Sequence, residues 1–141
     1  MASQRKSFWW AVASAAVMVL GSFGPWAKVL GIISVNGTDG DGWIVIVAAI
    51  VAIGLITLRE RRGLRLWSLI LAAVAGALAA ATAIYDWTDL NRVADETGLV
   101  DAGWGIYLAT IGSVSLVLAC IGLGFETRTG SEPAPETPQV E

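Results

Sequence analysis

The sequence predicts an all-α membrane protein: four transmembrane helices, arranged as two tandem helical hairpins, with both termini in the cytoplasm. Three observations carry that expectation. Charge vanishes from four long stretches of the chain, basic residues gather on one side of those stretches, and tryptophans mark their ends.

Charged residues make up 15% of the 141 and hydrophobic residues 55%, whereas a soluble domain carries about 25% charged. Mean hydropathy is +0.66. No Asp, Glu, Lys or Arg occurs in residues 7–27, 42–58, 66–85 or 102–125. A hydrocarbon core of ~30 Å takes about 17 to 25 helical residues to cross, so all four stretches qualify, the second at the short limit. Isolated strands would leave backbone groups unpaired in lipid, so the spans are helices. Residues 1–125 therefore form a transmembrane domain. Residues 126–141, with Pro133, Pro135 and Pro138 among Glu, Thr and Ser, read as a disordered cytoplasmic tail.

The first span follows Arg5 and Lys6, as a signal peptide does. It runs into Gly-Pro-Trp-Ala-Lys with no small-x-small cleavage site, so a retained helix is expected. Arg5, Lys6, Arg59, Arg61, Arg62, Arg65 and Arg128 fall on one side of the spans, and Lys28 and Arg92 on the other. The positive-inside rule then places the multi-pass chain in the cell membrane, with the N-terminus, the turn of residues 59–65 and the tail in the cytoplasm. That arginine cluster also suits contact with anionic lipid. Trp9, Trp10, Trp26, Trp43, Trp67, Trp87 and Trp104 all lie near span ends, where an apolar ring with one N–H favours the headgroup layer.

Trp26 and Trp43 are 17 residues apart, as are Trp87 and Trp104, and a 61-residue shift superposes both pairs. The same shift matches Gly42 with Gly103 and Ala48 with Ala109. This spacing predicts an internal duplication, a parallel repeat of two helix-loop-helix units over about residues 7–58 and 68–119.

Helices in lipid associate through close packing at small residues. In the third span Ala72, Gly76 and Ala80 recur at four-residue spacing, as do Ala73, Ala77 and Ala81. These two faces predict a central third helix whose small residues serve packing inside the bundle first, with docking of a partner on a surplus face as the alternative. No span holds an ionisable residue in its middle, which argues against an ion-coupled transporter. Ser14, Thr57, Thr82, Thr110, Ser113 and Ser115 are expected to bond carbonyls of their own helices.

In the first outer loop, residues 29–35 are β-prone and too short to span, and predict an extended segment at the membrane surface, in a hairpin, followed by the turn formers Asn36-Gly37 and Asp39-Gly40-Asp41-Gly42. Asn36-Gly37-Thr38 is also a glycosylation sequon. Asn36, Asp39 and Asp41 are candidate calcium ligands, although the later Glu of an EF-hand loop is missing. The second loop predicts a short helix over residues 88–96 ending at Gly98, with Asp89, Asp95 and Glu96 solvated. The chain has no histidine and one cysteine, Cys120, which excludes internal disulfides, Cys/His metal sites and any histidine base. Cys120 reads as a small packing residue. No catalytic residue and no cofactor is expected, and the chain is not expected to be an enzyme.

Pro25-Trp26, followed by Ser34-Val35-Asn36-Gly37-Thr38-Asp39-Gly40-Asp41-Gly42 leading into a span, resembles the small tetraspan membrane proteins common in actinobacteria, most without an assigned activity. One similar group is the small accessory subunits that accompany mycobacterial Mce lipid transporters. The resemblance implies an accessory or assembly subunit of a larger membrane complex, with the bilayer and other membrane subunits as partners and no nucleic acid. Two alternatives remain open from the residues: passive transport of a small or lipid-like solute by the bundle itself, and an outer-surface sensor binding a cation at the loop of Asn36 to Asp41.

Overall fold

The computed structural model describes the backbone of residues 2–62 and 66–129, and the side chains of residues 6–59 and 66–125. Four long helices dominate: α1 (Ala2–Phe23), α2 (Gly42–Arg62), α3 (Trp67–Thr97) and α4 (Trp104–Thr129). All four are long and apolar enough to cross a membrane. They pack as a ring, with α1 and α3 each lying against α2 and α4. The predicted arginine turn at Arg61, Arg62 and Arg65 and the tail of residues 130–141 fall outside the described side chains and backbone respectively. The helix itself continues to Thr129, past the expected boundary at residue 125.

Two of the span ends that differ from expectation do so for a clear local reason. The first helix stops at Phe23 and not at Ala27, because Pro25 has no N–H to donate and disfavours helical backbone at the residue before it. The third does not break at residue 85. The predicted short helix over residues 88–96 is the uninterrupted continuation of α3, since residues 77–97 contain no Gly or Pro. The Thr88 hydroxyl donates back to the Tyr85 carbonyl at 2.8 Å. Gly98 ends the helix as expected, in left-handed backbone (φ 64°) with its N–H on the Ala94 carbonyl. At 31 residues, α3 is about 46 Å long, more than a ~30 Å hydrocarbon core requires. Its uncharged part ends at Tyr85, and the remainder projects past that point with Leu90 still packed against the core.

That projection supports a small sheet. Strands β1 (Pro25–Val29), β2 (Ile33–Asn36) and β3 (Val100–Ala102) pair antiparallel in the order β2-β1-β3. The predicted hairpin is thus present and begins earlier, at Pro25. The third strand comes from the other connection, so one sheet ties the α1–α2 and α3–α4 connections together at what we call the capped end. The hairpin turn spans Leu30–Ile32, closed by the Ile32 N–H on the Val29 carbonyl (3.2 Å). Leu30 (φ 54°) and Gly31 (φ 68°) both occupy left-handed backbone, which costs a leucine about 1–2 kcal/mol. Leu30→Asn is therefore expected to stabilise the protein by about 1 kcal/mol, because asparagine tolerates this conformation. Thermal unfolding in detergent checks this; an unchanged or lower Tm would mean the turn holds no such strain.

The tightest seam joins α1 to α4. A Cβ on Gly21 would strike the Ala109 backbone nitrogen, one on Gly105 would lie 2.6 Å from the Gly21 carbonyl, and one on Gly112 would lie 2.8 Å from the Met18 nitrogen. Ser14 and Ser115 bond across this seam at 2.8 Å, and the Trp10 indole N–H donates to Ser115 at 2.8 Å. The predicted hydroxyl-to-carbonyl bonds form at Ser14, Thr82, Thr110 and Ser113. On α3 the buried small residues are Ser68, Ala72, Gly76, Ala79 and Ala83, one stripe at helical spacing. Ala73 and Ala80 are half-buried, while Ala77 and Ala81 are exposed. The expected central place of α3 is thus corrected: it is one member of a ring, and the glycine seam lies elsewhere. Cys120 is buried in the core.

Candidate functional site

The capped end is built on Trp26. Its ring is buried (5% exposed) and its indole N–H donates to the Gly21 carbonyl at 3.0 Å. Gly37 lies so close that a Cβ there would overlap the Trp26 ring, and Gly42 in turn packs on Gly37. The Gly37 N–H donates to the Gly24 carbonyl (3.1 Å) and the Gly103 N–H to the Trp26 carbonyl (2.8 Å). One indole is thus clamped between α1, the 3₁₀ turn Gly37–Asp39 and the start of α4. Unlike the other six tryptophans, it is almost wholly enclosed by protein. The other tryptophans are exposed, from 38% at Trp87 to 71% at Trp67, and suit the anchoring role. Trp87, the residue the 61-residue shift places on Trp26, lies within α3 and packs edge-on to Tyr107.

A groove of about 280 Å³ opens beside Trp26. Trp26, Ala27 and Val35 form its sheet wall, Asn36, Gly37, Gly40 and Asp41 its rim, and Asp86, Asp89 and Leu90 of α3 the facing side. Of the candidate calcium ligands, Asn36 and Asp41 meet here. Asp39 does not line the groove; its carboxylate accepts the Asn36 backbone N–H at 3.1 Å. Asp86 and Asp89, read from sequence as part of a separate loop, take its place. Their three-residue spacing on one helix face is the signal that would have joined them. Among the described residues no group of three or more Asp, Glu, His or Cys side chains is arranged to hold a metal ion, so the grouping reads as an acidic recess.

Asp86 sits just beyond the uncharged part of α3. Burial raises its carboxyl above the ordinary value of 3.8, and the charges of Asp41 and Asp89 raise it further. The folded protein therefore holds this proton more tightly than the unfolded chain does. Asp86 contributes stability when protonated, and that contribution is lost as pH rises through its folded pKa. Asp86→Asn is expected to unfold at higher temperature than the wild type at neutral pH, with the gap closing as pH falls toward 3.8. Thermal melts across that range check this, and a variant less stable at neutral pH would contradict it.

The chain matches no protein-family model, no curated protein and no solved structure.

Proposed function

We propose that the protein is a non-enzymatic accessory or assembly subunit of a larger membrane complex, with its termini in the cytoplasm and its sheet cap outside. The observation that carries this reading is the filled bundle. Met18, Val45, Ala49, Ala79, Ile106 and Leu116, contributed by all four helices, are fully buried in one apolar core. Glycines close the α1–α4 seam to backbone contact. Such an interior favours a rigid scaffold over a solute path, so passive transport by the bundle alone is the weaker alternative. The scaffold presents a folded cap with an acidic recess, which suits recognition better than chemistry. A sensor that takes up a cation at the loop of Asn36 to Asp41 is the third reading, and the lack of a metal-holding group of carboxylates among the described residues makes it the weakest.

The orientation rests on the seven-to-two distribution of basic residues. The duplication rests on the tryptophan register, and the ring order is what two hairpins about a central axis would produce. A role beside a lipid transporter rests on the resemblance in residues 25–42 alone. Extraction from native membranes in mild detergent, followed by mass spectrometry, tests the proposal. Recovery in a fixed-stoichiometry complex is expected; recovery solely as monomer or homo-oligomer would contradict it. Saturable flux into liposomes holding this protein alone would favour the transport alternative.

A further inference from the structure

Among the described strands β2 has a neighbour on one side only, so its other edge is open from Ile33 to Val35, while the Asn36 N–H is held by the Asp39 carboxylate at 3.1 Å. All four of its residues are exposed. Ile33 and Val35 carry apolar side chains there, and the adjoining Ile32 is 86% exposed. Exposed edges are ordinarily blunted by lysine or proline, and Ile33-Ser34-Val35-Asn36 contains neither.

Lipid is a poor occupant for this edge. From Asp86 to Thr97 the helix α3 climbs about 18 Å. The Leu30 N–H donates to the Leu99 carbonyl at 2.7 Å, so the hairpin tip is level with the far end of that helix. The five residues of β1 cover about 17 Å on their own, in agreement with that height. A second copy is also a poor occupant. Residues 24–41 and 86–101 carry seven carboxylates against two cations, and like caps repel. The acidic groove meets β2 at Val35 and Asn36, so strand edge and negative charge form one continuous surface.

We propose that the free edge of β2 docks an extended segment of a partner protein, which adds a strand to the sheet and places a lysine or arginine in the groove of Asp41, Asp86 and Asp89. Backbone bonds along the edge supply affinity, and the side chains over Ile33 and Val35 supply specificity. A cation in the groove relieves the repulsion from Asp41 and Asp89 that adds to burial in raising the Asp86 carboxyl. The inference rests on the reading of the chain as a subunit of a larger complex.

The test places a benzophenone amino acid at position 34 of the full-length chain in its native membrane. Irradiation is expected to link it to one protein, through a segment that alternates apolar residues with Lys or Arg. The double substitution Asp41→Asn with Asp86→Asn is expected to lower the yield about tenfold, as loss of a charge-assisted contact would. Links to lipid, to a second copy or to a segment without a cation would overturn the proposal, as would an unchanged yield in the double variant. If the larger complex is recovered but position 34 links to nothing, the docking site is wrong and the subunit reading stands. If no complex is recovered, both fail.

Discussion

Gly21→Ala is expected to destabilise the protein by about 3 kcal/mol or more, at or above the top of the range for overpacking a close-packed interior. The added methyl would meet the backbone nitrogen of Ala109, with the Gly105 carbonyl 2.8 Å away. Neither is a side chain that can rotate aside, so the two helices must separate. Separation would also stretch the bonds from Trp10 and Ser14 to Ser115. Gly54→Ala is the matched control, because a Cβ there meets nothing within 4 Å. It removes a helix glycine and should be neutral or stabilising by up to ~1 kcal/mol. Thermal unfolding of the three proteins in one detergent reads the difference. Equal Tm values for both variants would mean the α1–α4 seam is looser than described.

Trp26→Ala is expected to cost about 3–5 kcal/mol, the range for truncating a buried large aromatic. The loss falls on the capped end, because the indole bonds the Gly21 carbonyl and fills the space against Gly37. Amide exchange should accelerate at Ala27 and Val29 of β1 and at their partners in β3, while α2 stays protected. Trp87→Ala, at a partly exposed ring, should cost far less. If the two substitutions had equal effects, Trp26 would be an interfacial anchor like the others.

That contrast shows what was legible in the sequence. The helices were visible because the uncharged stretches report a solvent requirement, and lipid admits no other spanning structure for such segments. Gly98 was legible as a stop because the left-handed cap has a strong residue preference. The sheet was half legible: residues 29–35 announced a hairpin, but Val100-Asp101-Ala102 is too short to show alternation and becomes a strand only because β1 is beside it. Trp26 and Trp87 are alike by position and unlike in environment, since Pro25 ends α1 before Trp26 whereas α3 runs on past Trp87 to Gly98. The groove was legible only in part, because Asn36 and Asp41 lie in one connection and Asp86 and Asp89 on another element. The α1–α4 seam was missed because Gly21, Gly105 and Gly112 do not share one four-residue repeat, and the contact spans two distant helices.

The most direct test of the account is the native mass of the protein extracted at its natural abundance, compared with that of Trp26→Ala. The wild-type chain is expected to travel in a species well above its own 14.8 kDa, containing at least one other membrane protein in fixed ratio. Loss of the cap in Trp26→Ala is expected to release that partner while the helices remain in the membrane. A wild-type chain found at 14.8 kDa or at whole multiples of it, with no other protein, would contradict the central claim.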